Sequence, residues 1–361
     1  MEQETVNNTN KNIPNSYLKY TGRKTLVILS LIILIVLFGI IAICAGSADL
    51  TPGQVVTTLL GRGTESSEII IWNIRLPRVV AAIVAGAGLA IAGCVMQNIL
   101  RNPLADSFTL GIAQGAAFGA AFAIVVLGAG GIQTSSTDAV IINNPYILTI
   151  SAFIFSMAAT LVILFLSSLV GVTPEGMILA GVALGSLFTA ATTLIQYFAE
   201  DVKIAAIVFW TFGDLGRASW HETGIMALLV ALGLLYFMLH RWDYNALSSG
   251  EETAKSLGVD VGKLRVGGML ISSLISAVAV AFLGIIGFIG LVAPHMMRRI
   301  IGGDHRFLIP GSAVMGCLLL LAADTLARII IKPIILPVGA ITSFLGAPLF
   351  LYLLSRGFKR K

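Results

Sequence analysis

Charge is scarce in this chain of 361 residues: Asp, Glu, Lys and Arg make up 11% of it, against about 25% in an ordinary soluble domain. Apolar residues reach 57% and the mean hydropathy is +0.94. Too few polar side chains remain to cover a globule with a water-compatible surface, which excludes a soluble enzyme. A disordered chain needs the opposite bias and is excluded as well. Cysteine is equally sparse. Cys44, Cys94 and Cys317 each lie within an apolar run, with no second Cys or His at ligand spacing, so neither a disulfide framework nor a zinc or other metal site is expected. They read as small packing residues.

Chemistry-bearing motifs are missing too. No G-x-x-x-x-G-K-[ST] phosphate loop occurs; the nearest string, from Gly258 through Gly262-Lys263-Leu264, has the wrong spacing and a Leu where the hydroxyl belongs. H-E-x-x-H and G-x-S-x-G are absent. Charges stop at the ends of the apolar windows, so the intramembrane acid or cation of an ion-coupled carrier is lacking. A membrane-embedded enzyme needs a cluster of catalytic polar groups at one face, and the one candidate segment, 295–306, has neither a carboxylate pair nor a nucleophile. A conduit remains, without a catalytic residue or cofactor of its own and driven from outside the chain. The net charge of +5 forms no stripe; the basic residues fall between apolar runs, as membrane topology places them, so nucleic acid is not an expected partner.

What is present is a series of long apolar runs. A spanning helix needs about 20 apolar residues, and charge-free windows occur at 25–48, 79–100, 107–137, 139–174, 176–199, 223–239, 266–297, 307–323 and 333–355. The first is too long for the core of a signal peptide and should remain in the membrane. The window 266–297 is broken by Gly284, Gly287, Gly290 and Pro294 and reads as a long helix followed by a short one, since irregular backbone at membrane depth needs a protein cover. The fold class expected is therefore an all-α polytopic membrane protein of about ten transmembrane helices in the cell (plasma or inner) membrane. A cytoplasmic tail, 1–24, precedes a membrane domain, 25–358, whose longest cytoplasmic loop is about 240–265. With the N-terminus inside, the inner segments hold 16 Lys+Arg and 9 Asp+Glu, the outer ones 7 and 9. That excess places both termini inside, as an even number of spans requires. Residues 50–61, opening Thr51-Pro52-Gly53, predict a short helix on the outer surface, and 204–213 a second.

Several stretches carry more information than hydropathy demands. Arg75-Leu76-Pro77-Arg78 presents two cations three apart at the outer start of the second span, a geometry suited to carboxylates of a docking partner or to lipid headgroups. Gly86 and Gly93, with Ala90 and Ala92, make a small-residue face for close helix approach. Gln97, Gln114 and Gln196 are the polar amides within or near spans and read as helix–helix hydrogen bonds rather than ligands. Asn102-Pro103 forces a turn at the cytoplasmic side. His295 lies in the run Gly284 to Pro294-His295 beside a basic interface and reads as structural. Gly339, Gly346 and Pro348 punctuate the last span. In the cytoplasmic loop, Gly250-Glu251-Glu252 opens a short helix that Gly258 closes, with Ala254 and Leu257 as a small apolar face fit for a groove on another protein, or else as part of a solvated loop.

Together these strings resemble the permease subunits of binding-protein-dependent ABC importers of the type II class, which serve iron–siderophore, haem and cobalamin. The likeness runs from about 50 to 354. It is carried by Arg75-Leu-Pro-Arg78, Gln97 through Asn102-Pro-Leu-Ala105, Leu110-Gly111 with Gly115-Ala116, Gly287-Phe-Ile-Gly-Leu-Val-Ala-Pro-His295, Asp304-His-Arg306, and Pro337-Val-Gly339 with Gly346-Ala-Pro348. The resemblance implies ten helices per subunit and a homodimer with its path on the two-fold axis. It also implies two copies of a cytoplasmic ATP-binding subunit, which holds the ATP, and one extracytoplasmic substrate-binding protein. By the same resemblance Arg75, Arg78 and Arg328 would meet the binding protein, and Gly250, Glu251, Ala254, Leu257 and Gly258 would receive the ATPase. The helices over 177–198 and 338–354 would line the path, with Gly86, Gly93, Gln97, Gly181, Gly339, Gly346 and Pro348 as lining or packing positions. A metal chelate, foremost an iron–siderophore, is the substrate implied, with cobalamin, haem or molybdate as alternatives. Asp214 departs from the family pattern, which more often has a small hydroxyl residue there.

Overall fold

Within a bilayer a backbone amide finds no water, so each crossing segment must satisfy its own hydrogen bonds. A computed structural model describes residues 2–46, 50–132, 140–142, 144–170 and 173–358. Among them, seven helical stretches are long and apolar enough to cross: Lys19–Cys44 within α1 (Glu2–Cys44), Glu65–Ile99, Pro145–Leu169 within α6 (Pro145–Val170), α7 (Pro174–Tyr197), α9 (Trp220–Leu239), α12 (Val261–Leu283) and α14 (His305–Ile329). Glu65–Ile99 is composite: one turn, α3 (Glu65–Glu68), a π-helical stretch Ile69–Arg75, then α4 (Leu76–Ile99). Shorter apolar helices are α5 (Ile112–Val125) and Val338–Tyr352 within α15 (Val338–Phe358), and α13 (Ile289–Ile301) follows α12.

The two surface helices appear as α2 (Pro52–Leu59) and α8 (Asp201–Thr211), the first opened by a capping box between Thr51 and Gln54. The connection expected to be cytoplasmic, about 240–265, contains α10 (Arg241–Ser248) and α11 (Glu251–Ser256). One expectation is corrected. Window 107–137 is helical only over α5; past Gly128, at φ +69°, the chain turns into a hairpin of β1 (Gly130–Ile132) and β2 (Val140–Ile142), and residues 133–139 lie outside the described ones. α1 runs as one helix through residues 2–24 into its apolar stretch.

Water-driven burial is unavailable between helices in lipid, so close approach of backbones must supply the attraction. α4 does this on several sides at once. A Cβ added at Gly86 would meet the Gly316 carbonyl of α14, and one at Gly93 would meet the Gly290 carbonyl of α13. A second packing unit joins α5, α6 and α7: Phe118 meets Phe155 edge-on at 4.7 Å and Phe188 at 5.6 Å, while Ser151 donates to the Gly119 carbonyl at 2.7 Å.

The predicted break in window 266–297 falls between Leu283 and Ile289. It is covered by two other irregular segments. The Asp214 amide donates to the Leu283 carbonyl at 2.8 Å, and the amides of Val338 and Gly339 donate to the carbonyls of Gly213 and Phe212 at 3.3 and 3.1 Å. Gly213 (φ +71°) and Gly284 (φ +78°) each face a backbone carbonyl from the opposing segment, so the joint has no room for side chains. It fixes the end of α8, the gap between α12 and α13, and the start of α15 relative to one another.

Replacing Gly93 with Val is expected to lower thermal stability in detergent by at least about 1–3 kcal/mol through overpacking. Gly39→Ala, where the space is open, serves as the neutral control.

Candidate functional site

Three arginines gather where α1 ends. The last carbonyls of a helix have no partner within it, and here guanidinium groups supply one. Arg75 Nη1 donates to the Ile43 and Cys44 carbonyls at 2.7 and 3.0 Å, and Arg328 Nη1 to those of Ala42 and Ala45 at 3.0 and 2.6 Å. Asp324, fully buried on α14, takes Arg78 Nε at 2.8 Å on one oxygen and Arg328 Nε at 3.0 Å on the other. Arg78 Nη2 reaches Asp214 at 3.1 Å, whose side chain is 44% exposed. The expectation of outward-facing cations at Arg75 and Arg78 is therefore corrected: both are buried, as is Arg328. A desolvated cation needs its charge matched nearby, and this chain matches it internally. Asp214 closes the remaining arm of Arg78 and caps the turn Leu215–Arg217 through the Gly216 amide at 2.9 Å.

A second feature is the uncovered side of α7. Ser186, Thr189 and Thr193 fall on one helical face, and each hydroxyl donates back to its own helix, to the carbonyls of Val182, Gly185 and Thr189. Their lone pairs are left facing a cavity of about 470 Å³ that Gln114 and Gly181 also line, with an adjoining space of about 250 Å³ beside Thr192 and Gln196. Gln114 Oε1 is buried there without a hydrogen-bond partner. Of the positions expected to line the path or pack helices, Gly181 borders this cavity. Gly86 and Gly93 pack α4, and Gln97 donates to the Gly290 and Leu291 carbonyls at 3.4 Å, the helix–helix role expected of it. Gly339 abuts the Ile285 and Phe212 carbonyls, Gly346 abuts Phe288, and Pro348 is exposed on α15. His295 stacks edge-on with Phe350 at 5.6 Å.

The opposite end forms a braced platform. Asn98 donates to Ser248 Oγ at 2.8 Å, and Arg265 donates to the Ile99 carbonyl at 3.2 Å while pairing with Glu251 at 3.1 Å. Asn245 donates to Asp304 at 2.9 Å and accepts from the His305 amide at 2.8 Å. Burial works against the charge of Asp304, but hydrogen bonds from Arg306 and Asn245 outweigh it and hold the carboxyl at about 2. α11 closes in a Schellman motif, Val259 N–H to the Ala254 carbonyl and Gly258 N–H to that of Lys255, both 3.0 Å, with Gly258 at φ +83°. Gly250, at φ +124°, separates α10 from α11. The expected outward apolar face is corrected in one half: Ala254 is wholly buried inside the chain, and Leu257 alone projects, 68% exposed.

Sequence reasoning missed Asn98, Asn245 and Arg265, whose partners lie far along the chain. The α7 hydroxyls were findable from their spacing of three and four. Asp106, in the turn before α5, was also overlooked. Burial pushes its carboxyl up to about 6 against hydrogen bonds from the Thr109 and Phe108 amides.

A bundle of apolar helices with a polar cavity along an uncovered helix and a braced platform at one end is the architecture of a membrane transport protein. The chain belongs to the FecCD transport family, which it matches over residues 33–356. It is 59% identical over 350 residues, 96% of this chain and 99% of the other, to a "putative ABC transporter permease protein" of Methanocaldococcus jannaschii. It is 39% identical over 300 residues to the hemin transport system permease protein of Yersinia pestis, covering 83% and 87%. A solved structure, an inward-facing conformation of a "putative metal-chelate type ABC transporter", superposes with a TM-score of 0.79 at 30% identity over 91% of this chain and 99% of that one. The protein is thus a multi-pass inner-membrane protein.

Two outcomes follow from these geometries. Asp324→Asn leaves two buried guanidinium groups without their shared counter-charge and is expected to cost about 3–5 kcal/mol, read from thermal unfolding in detergent. The folded carboxyl of Asp106 lies above its usual 3.8, so its contribution is fully present below about pH 4 and is lost as pH rises through about 6. Asp106→Asn should flatten that part of the stability–pH profile, raising melting temperature at pH 7.5 relative to pH 5 compared with the parent.

Proposed function

We propose that this chain is the membrane-spanning permease subunit of an ATP-driven importer for a metal chelate, working as a homodimer of ten-span subunits with both termini inside. The observation that carries the reading is the hydroxyl-bearing, uncovered face of α7. In lipid such a face is unfavourable, whereas against a second copy across a two-fold axis it walls an aqueous path together with α15. Weak, evenly spaced acceptors suit passage, because a tight site would trap the cargo.

Two copies of a cytoplasmic ATPase bind ATP and seat on the α10–α11 platform, with Leu257 as the projecting contact. Its displacement reaches α4 and α12 through the Glu251–Arg265–Ile99 links, shifting the dimer between outward- and inward-open states. At the outer end an extracytoplasmic binding protein delivers the chelate. Arg75, Arg78 and Arg328 shape the outer end on which it docks, and half-exposed Asp214 occupies the arm of Arg78 that a docking carboxylate would take. The cargo class is a metal chelate, in line with the hemin named for the Yersinia relative and the metal chelate named for the solved structure; an iron–siderophore is the cargo assigned.

Affinity purification of the tagged chain from its own membranes in mild detergent, followed by mass spectrometry, tests the reading. An ATPase at one copy per permease chain is expected, and Leu257→Asp should cut its recovery at least tenfold. A clean homodimer without an ATPase, under conditions that preserve other such complexes, would overturn it.

A further inference from the structure

A further cavity lies apart from the proposed path. It measures about 640 Å³ and lies between α6, α9 and α12 beside the turn Leu215–Arg217, away from the hydroxyl face of α7. That volume is in the range of small-ligand pockets, roughly 300–1,000 Å³. Its walls are apolar, with Phe153, Ile225, Val278 and Phe282 among them, and its rim is polar, formed by Arg217, His221 and Glu222.

Three observations at the rim point to one class of occupant. Arg217 donates to the Phe209 and Trp210 carbonyls at 2.8 and 3.0 Å, which fixes its guanidinium in place, yet among the described residues no carboxylate forms an ion pair with it. Its two acidic neighbours are committed elsewhere. Asp214 is paired with Arg78, and Glu222 accepts from the Ser219 amide at 2.9 Å and from its hydroxyl in a capping box. Tyr146, which lines the cleft, is exposed, and so is Trp220, next to His221 in the chain, whose indole donates to the Trp72 carbonyl at 2.8 Å. Exposed Tyr and Trp in this arrangement mark the level of lipid headgroups. A pinned cation at headgroup level above an apolar cleft matches a phosphate with hydrocarbon chains below it.

We propose that this cleft binds an anionic phospholipid of the outer leaflet, its phosphate on Arg217 and His221 and a chain between Phe153 and Phe282. The bound phosphate supplies the counter-charge that Arg217 lacks and steadies the turn Leu215–Arg217, which abuts Gly284 at the α12–α13 break.

Native mass spectrometry of the full-length chain, in the assembly in which it leaves its membranes, tests the site with phosphatidylglycerol and phosphatidylcholine of identical chains as probes. The expected result is retention of about one phosphatidylglycerol per chain and at least tenfold less phosphatidylcholine. Arg217→Gln should lower phosphatidylglycerol retention at least tenfold, and Thr149→Trp, which fills the cleft, should abolish retention of both lipids. Should Arg217→Gln fail to assemble, His221→Glu reads the same loss by placing a like charge at the rim. Equal retention of the two lipids, or undiminished phosphatidylglycerol in Thr149→Trp, would overturn the assignment.

Discussion

Backbone contact at α4 is the constraint on which the bundle depends. Lipid chains are as apolar as the side chains they touch, so helices in a bilayer gain little by covering leucine with leucine. They gain by approaching until peptide groups touch, which only small residues allow. Gly86 against Gly316 and Gly93 against Gly290 bring α14 and α13 onto α4 at that distance. The platform inherits its position from this arrangement, because Asn98 and the Ile99 carbonyl at the foot of α4 hold α10 and Arg265. At the head of the same helix Arg78 holds Asp324 and Asp214. One rigid post thus links the charge cluster at one end to the platform at the other.

The charge cluster follows the complementary rule. Burying three guanidinium groups is costly unless their donors are met, and they are met partly by a carboxylate and partly by the carbonyls that end α1. That economy solves two problems together, since the terminal carbonyls of α1 would otherwise be orphaned as well. It also explains why Asp324 is wholly buried while Asp214 is half exposed: the first balances the interior, the second the boundary.

The sequence made the membrane class, the surface helices α2 and α8, and the break after Leu283 legible, because hydropathy, Pro and Gly act locally. It also exposed the arginines and the segment 250–258 as unusual. Burial was not legible. Arg78 and Asp324 are 246 residues apart, and nothing near either one announces the other. Ala254 and Leu257 look alike in a string of residues, yet Ala254 is buried against the chain while Leu257, at the cap that ends the helix, projects. Window 107–137 misled because an apolar composition satisfies helix and hairpin equally, and the Gly run after Leu127 decided between them. The hydroxyls of α7 could have been found from their spacing, yet whether such a face is covered depends on neighbours that a sequence does not show.

The break between α12 and α13 bears on how the protein is made. α13 has 13 residues, about 20 Å of helix against a hydrocarbon core of about 30 Å, and it carries Arg298 and Arg299. Such a segment does not partition into a bilayer alone. During synthesis it must wait until α12 and α4 can shield its exposed backbone, so this part of the chain enters the membrane as one cooperative unit rather than helix by helix.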